Sequence, residues 1–235
     1  MRKPSLFLVV FVILMALAGM VLNRYVPAQH LPWRKLNPAA PIGFATKTQF
    51  LRLSLSPSSI CMDMAHDIDR FESSPAEPKR PDKTCGWDIA RVVYSSQDIT
   101  LTPDKDANMQ CPLSIGVFMW LREIDQIARQ DFGEGLKKIH HVGTYSCRRQ
   151  NGNNSGQWSE HAFANAWDIT GFEFESGMII SVQKDWDSHE KQRKDFLRKA
   201  RDKACRIFRV TLSPDYNAAH YDHFHLDMGP STACR

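Results

Sequence analysis

The chain has 235 residues, of which 43% are hydrophobic, so it can bury one full core once its N-terminal segment is set aside. Its formal charge of +4 is mildly basic and lacks the concentrated patches of nucleic-acid-binding proteins, so we expect no nucleic-acid partner. Six cysteines without any Cys-x-x-Cys spacing predict disulfides rather than a thiolate zinc site, and their pairing stays open.

The N-terminus carries a basic head followed by an apolar run. Residues 5–22 contain no charge and as a helix would span roughly 27 Å, just enough for a bilayer core. We therefore predict a signal anchor or transmembrane helix over residues 1–23, with the domain on the periplasmic or extracytoplasmic side of the inner membrane. Whether the segment is cleaved stays open. The prolines of residues 24–45 predict an extended linker before a domain over residues 46–235.

The first half of the domain shows alternating helix and strand signals. The predicted elements are an ordered piece at 46–60, a short helix at 61–69, a strand pair at 87–100, a helix at 113–130 ended by Gly133, and a strand at 138–145. The inward positions expected in the strand pair are Ile89, Val92, Val93 and Tyr94.

The second half contains a predicted hairpin and a second long helix. Residues 172–182 predict a hairpin that turns at Ser176-Gly177. Asp187 and Glu190 have capping-box spacing and predict the start of a helix that reaches about Phe208. Its expected buried stripe comprises Phe196, Leu197, Ala200, Ala204 and Ile207.

A candidate metal site begins with His161 and Asp168. On a helix these residues would lie roughly 10 Å apart along the axis, too far for one ion, so a turn must lie between them. Residues 165–171 predict a short strand in which Asp168 projects from one face while Trp167 and Ile169 pack behind it. The pair therefore indicates half of a metal site.

Three histidines near the C-terminus, His220, His223 and His225, are the candidates for the missing ligand. In an extended segment His223 and His225 point to the same side, so one could bind the metal while the other lies beside a metal-bound water. Two histidines and one carboxylate leave a fourth coordination position open, which is typical of catalytic zinc sites.

The motif Ser159-x-His161-x-x-x-x-Ala166-x-Asp168, followed by His223-x-His225, is similar to that of the zinc D-Ala-D-Ala carboxypeptidases and murein endopeptidases of the lysostaphin, carboxypeptidase and hedgehog group. More narrowly, the chain from about Pro41 onward resembles the bacterial extensin-like C-terminal domain family. The segments that carry this resemblance are Tyr145–Arg148, Ser159–Ala162 and His220–Asp227. The wider peptidase motif has Gly where this chain has Ala164, so the turn after His161 departs from it.

The resemblance implies Zn²⁺ bound by His161, Asp168 and His225. It also implies that Arg148 supports the substrate carbonyl or carboxylate, against the alternative of a solvated arginine in a loop. The catalytic base is left between two residues. His223 shares a strand face with the ligand His225 and matches the murein endopeptidase branch, whereas Asp222 matches relatives with an acidic base; we favour His223.

We therefore expect a zinc-dependent peptidase that cleaves peptidoglycan stem peptides or cross-links, with peptidoglycan and the membrane as partners. The alternatives are a non-catalytic, zinc-stabilised domain that binds the cell wall, and another kind of amidohydrolase. The expected fold class is α+β, a small antiparallel sheet carrying the zinc site, flanked by helices that include 113–130 and 188–208. The oligomeric state stays open.

Overall fold

A sheet flanked by helices forms the body of the protein in the computed structural model, which describes residues 6–81, 84–102 and 107–235. The helices are α1 (Leu6–Tyr25), α2 (Thr46–Ser54), α3 (Ser58–His66), α4 (Cys111–Phe132), α5 (Val182–Asp185) and α6 (Lys191–Cys205). The strands are β1 (Phe71–Ala76), β2 (Ala90–Ser96), β3 (Ile99–Thr102), β4 (Asn108–Met109), β5 (Leu136–Gly143), β6 (Ala166–Phe174), β7 (Ile179–Ser181), β8 (Val210–Leu212), β9 (Phe224–Asp227) and β10 (Ala233–Cys234).

The sheet confirms the expected mixture of helices and strands but is larger than predicted. Within the described residues it has ten strands, ordered β1-β2-β3-β5-β6-β9-β8-β10, with β4 on β2 and β7 on β6. It is also not purely antiparallel, because β3 pairs in parallel with β5 and β8 with β10. The long helix α4 lies between β3 and β5 in sequence and provides the crossover that a parallel pair requires.

Helix α4 is the central packing element and extends the predicted helix by two residues at each end. Its apolar residues Val117, Trp120 and Leu121 are fully buried, and Gly133 ends the helix in the left-handed conformation with φ 76°. The indole of Trp120 donates a hydrogen bond of 2.9 Å to the carbonyl of Ala200 in α6. This bond joins the two long helices on one side of the sheet.

Two local predictions are corrected. The strand pair exists as β2 and β3, but of its expected inward residues Ile89 and Tyr94 are exposed, while Val93 is fully buried. The predicted stripe is buried, yet helix α6 begins at Lys191 and ends at Cys205, so that Ile207 lies beyond it. Its N-cap residue Glu190 makes no capping-box bond. Ser188 instead accepts a hydrogen bond from the amide of Glu190, so the side chain caps a turn before the helix.

The N-terminal helix α1 is long and apolar enough to cross a membrane, and none of its residues is buried in the protein. Residues 1–5 of the predicted anchor lie outside the described residues. The following segment is not the free linker that its prolines predicted. Leu31, Leu36 and Ile42 of this segment are buried. The side chain of Gln49 in α2 donates hydrogen bonds to the carbonyls of Ala28 and Leu31. Apolar side chains between the prolines therefore fix this segment to the domain.

All six cysteines form disulfides, as predicted: Cys61–Cys111, Cys85–Cys147 and Cys205–Cys234. The first joins α3 to the start of α4, and the third joins the end of α6 to β10. The second fixes the loop before β2 to the segment that follows β5. Such bonds are typical of proteins that fold in an oxidising compartment.

Candidate metal centre

Strands β6 and β9 bring the two halves of the predicted site together. They are antiparallel neighbours, and their register places Asp168 directly opposite His225. Trp167 and Ile169 are fully buried behind Asp168, as the period-two pattern predicted. The carboxylate and the imidazole therefore form a cross-strand pair on one face of the sheet.

A short 3₁₀ helix, Glu160–Phe163, presents His161 to this pair. Ser159 caps it, because its hydroxyl accepts a hydrogen bond of 3.3 Å from the amide of His161. The turn into β6 is made by Ala164, whose φ of 53° and ψ of 32° lie in the left-handed region. Glycine adopts this conformation without strain, whereas Ala164 adopts it with a side chain present.

The donor atoms of His161, Asp168 and His225 converge. His161 Nε2 lies 3.0 Å from Asp168 Oδ2 and 3.2 Å from His225 Nδ1, and His225 Nδ1 lies 2.9 Å from Asp168 Oδ1. Donors around a tetrahedral zinc ion, with bonds near 2.0–2.1 Å, are separated by about 3.3 Å. Two imidazole nitrogens and one carboxylate at this spacing fit a divalent cation.

The remaining ring nitrogens of both histidines contact oxygen atoms that orient the rings. His161 Nδ1 lies 3.3 Å from the carbonyl of Thr144, and His225 Nε2 lies 3.0 Å from Asp227 Oδ2. Such contacts fix the ring that presents its other nitrogen to a metal. Asp227 is not among the ligands or catalytic residues predicted from the sequence. Its position two residues after His225 on the same strand face was the signal that could have found it.

The pKa values of Asp168 and His225 are shifted in the directions that favour the charged form of each group. Burial raises the pKa of Asp168, but hydrogen bonds with His161 and His225 outweigh burial and hold that pKa well below its usual range. Burial lowers the pKa of His225, but hydrogen bonds with Asp168 and Asp227 raise it to about 9. In the metal-free protein a proton on His225 therefore supplies the positive charge that a cation would supply.

His223 lies next to the candidate ligand Asp168, and Asp222 contacts the other ring nitrogen of His223. His223 Nδ1 is 2.8 Å from Asp222 Oδ1, and His223 Nε2 is 3.7 Å from Asp168 Oδ1. His223 lines the cleft in front of the site, whereas Asp222 is not among the described residues that do. The carboxylate of Asp222 thus contacts the ring of His223 from the side opposite to the ligands.

His220 belongs to the same cluster, because its ring centroid lies 5.2 Å from that of His223 and 5.9 Å from that of His225. Its Nδ1 lies 2.8 Å from the side-chain oxygen of Asn217. Burial, followed by the proximity of His225 and His223, lowers the pKa of His220 to about 4. His220 is therefore neutral at physiological pH and can serve as a hydrogen-bonding group in the cleft.

The cleft in front of the site has a volume of about 790 Å³ and includes all three candidate ligands in its wall. Arg148 is exposed on its rim, and no hydrogen bond joins its guanidinium to another described residue. Aromatic side chains that the sequence analysis did not single out, Trp158 and Tyr216, also line the cleft. A volume of this size accommodates a short peptide.

No curated protein and no solved structure matches the chain. The family model described as extensin-like protein C-terminus matches residues 59–235, which include every candidate site residue. This match covers about three quarters of the sequence. The chain therefore belongs to the extensin-like protein C-terminus family.

Proposed function

We propose that this protein is a zinc-dependent peptidase that cleaves peptide bonds in peptidoglycan stem peptides or cross-links. The observation that carries the proposal is the convergence of His161, Asp168 and His225, at 2.9–3.2 Å between donor atoms, in the wall of an open cleft. A three-residue donor set of this kind leaves a position for water or substrate, as catalytic zinc sites do.

Zinc bound there would act as a Lewis acid that makes water a nucleophile near neutral pH. His223 acts as the general base, because its Nε2 faces the ligand cluster and lies 3.7 Å from Asp168 Oδ1. Asp222 holds the Nδ1–H of His223 and stabilises the imidazolium that results. The imidazolium then donates its proton to the leaving amine. The two candidate bases therefore have successive roles, with His223 as the base and Asp222 as its positioning residue.

Arg148 and His220 bind the substrate. The guanidinium of Arg148 is exposed at the rim of the cleft, where it can pair with a substrate carboxylate or carbonyl oxygen. Neutral His220 offers its Nε2 to a polar group of the peptide, since its Nδ1 contacts Asn217. Trp158 and Tyr216 supply apolar surface in the wall of the cleft.

The choice of peptidoglycan as substrate rests on sequence resemblance and on location. The motif with His161 and Asp168, together with His223-x-His225, is similar to that of zinc D-Ala-D-Ala carboxypeptidases and murein endopeptidases. Three disulfides and one exposed apolar N-terminal helix fit a protein attached to the outer face of the inner membrane.

The test is incubation of the full chain, purified in detergent, with defined muropeptides in the presence of zinc or of a chelator. We expect new peptide termini with zinc and none with chelator. Replacement of the base, His223→Gln, should lower the rate by about 10²–10⁴-fold while zinc remains bound. Asp222→Asn should cause a smaller loss, because the ring of His223 remains in place.

Two results would contradict this assignment. Full activity of His223→Gln together with an inactive Asp222→Asn would make Asp222 the base. Intact muropeptides at every zinc concentration, with zinc-dependent retention of the protein on cell-wall sacculi, would replace the peptidase by a non-catalytic wall-binding domain.

A further inference from the structure

The segment that joins the apolar helix to the domain has an unusual charge distribution. Residues 24–62 contain five lysines and arginines and no aspartate or glutamate. The five are Arg24, Arg34, Lys35, Lys47 and Arg52. The whole chain carries 30 basic and 26 acidic side chains, so this segment departs sharply from the mixed surface elsewhere. A one-sign patch of this kind attracts anionic surfaces.

Hydrogen bonds hold this segment around the end of α1. Only Val26 and Pro27 separate Tyr25, the last residue of α1, from the short 3₁₀ helix Ala28–His30 that packs on the domain. The indole of Trp33 donates a hydrogen bond of 3.2 Å to the side chain of Asn23 within α1.

Two further bonds extend this arrangement. Phe44 donates its amide to His30, and Arg52 of α2 donates to the carbonyl of Pro32. We call residues 23–35 with Phe44 and Arg52 the collar.

The collar also exposes large aromatic side chains. Tyr25 is 78% exposed, Trp33 48% and Phe44 87%. Aromatic rings flanked by basic side chains at the end of an apolar helix are typical of the membrane interface, where rings lie at headgroup level and cations pair with lipid phosphates. All three residues keep about half or more of their surface exposed in the described part of the protein.

We propose that the collar docks onto the bilayer interface and binds anionic phospholipid headgroups, so that the domain lies against the membrane instead of extending away from it. The occupant is a lipid surface because the collar continues directly from the apolar helix, and its charge is uniformly positive. Arg34, Lys35 and Arg52 contact the phosphates, while Trp33 and Phe44 enter the interfacial layer. A bilayer crossed by α1 would be the first surface that the end of this helix meets.

This docking limits the reach of the candidate active site. A free linker of residues 24–45 would extend up to roughly 70 Å, whereas the collar leaves only the thickness of the domain, on the order of 40 Å. Building on the proposed function, the substrate is therefore the fraction of peptidoglycan peptides that comes within this distance of the bilayer, including peptides attached to membrane lipids. A peptidase on a long tether would not have this restriction.

The test uses the full chain in nanodiscs that contain phosphatidylcholine and phosphatidylglycerol. The chain has six tryptophans, so the fluorescence of Trp33 is obtained by subtracting the emission spectrum of the Trp33→Phe variant from that of the wild type. We expect acyl chains brominated near the headgroup to quench this difference emission. An unquenched Trp33 would overturn the proposal.

Charge reversal tests the lipid specificity. Arg34→Glu with Lys35→Glu should remove the quenching, whereas the matched reversal of two exposed lysines on β5 and α5, Lys137→Glu with Lys184→Glu, should leave it unchanged. Equal quenching in all variants, or in discs of phosphatidylcholine alone, would contradict recognition of anionic lipid. Hydrolysis of soluble muropeptides in the same discs reports the proposed activity separately, since no collar residue lines the cleft.

Discussion

His225 uses both ring nitrogens, and this double use is the main chemical feature of the site. Its Nδ1 faces His161 and Asp168, while its Nε2 contacts the carboxylate of Asp227. A carboxylate on the far side of a ligand imidazole fixes the tautomer and increases the basicity of the metal-facing nitrogen. In the proposed zinc site, Asp227 would therefore contribute to metal affinity without touching the metal.

We predict that Asp227→Asn weakens zinc binding by about 10–100-fold, because His225 loses its anionic partner. The amide oxygen of Asn can still accept the hydrogen bond from the amide of Gly229, so the local turn should persist. Competition with a fluorescent chelator measures the affinity. Asp222→Asn is the matched control, since Asp222 contacts only the non-ligand His223 in this cluster, and it should leave zinc affinity nearly unchanged. Equal affinities of the two variants would contradict this role for Asp227.

The pKa of His225 predicts a pH dependence for the metal-free protein. This pKa is 6.5 in the unfolded chain and about 9 in the folded protein. The folded state therefore binds more protons between these values, and the stability that results is present below pH 6.5 and lost as pH rises through 9. The loss should be about 3 kcal/mol. Urea midpoints in chelator between pH 6 and 9.5 measure it; a constant or rising midpoint would contradict the assignment.

At the scale of elements, the turn between the 3₁₀ helix and β6 determines where His161 lies. Ala164 adopts a left-handed conformation there and is fully buried. Its carbonyl accepts a hydrogen bond from the amide of Gln110, the N-cap residue of α4, and the side chain of Gln110 donates to the carbonyl of Phe163. The central helix therefore fixes the turn that carries the first ligand.

We predict that Ala164→Gly changes the free energy of unfolding by less than about 1 kcal/mol, because relief of the left-handed strain offsets the greater entropy of the unfolded chain. Ala164→Val should destabilise the protein by about 2 kcal/mol or more, since a β-branched residue is strained at positive φ and no space exists for it. Zinc affinity should fall only in the Val variant. Urea unfolding and chelator competition test both; a stable Val variant with normal zinc affinity would show that this turn does not set the position of His161.

Much of the site could be predicted at this scale because its segments have strong local signals. Period two in residues 166–170 placed Trp167 and Ile169 in the core and left Asp168 on the other face. The same period did not reveal that Asp168 pairs with His225, because register depends on strands that are distant in sequence. The parallel pair of β8 and β10 was missed because these strands are only three and two residues long. Short strands carry little periodicity to recognise.

At the scale of the whole molecule, the disulfides and the N-terminal segment show where sequence reasoning succeeded and failed. An even set of cysteines without metal-binding spacing predicted disulfides, and all six are paired. The prolines of residues 24–45 predicted an extended linker, but Leu36 and Ile42 within it belong to the main hydrophobic core. Burial of a few apolar side chains outweighed the local preference of proline for extended backbone.

The most direct test of the central claim is zinc K-edge X-ray absorption on the full chain, with the metal content measured on the same sample. We predict one zinc per chain, bound by nitrogen and oxygen at about 2.0–2.1 Å and by no sulfur, with imidazole scattering that disappears in Asp168→Ala or His225→Ala. Zinc far below one per chain, or a coordination shell unchanged by these substitutions, would contradict the account.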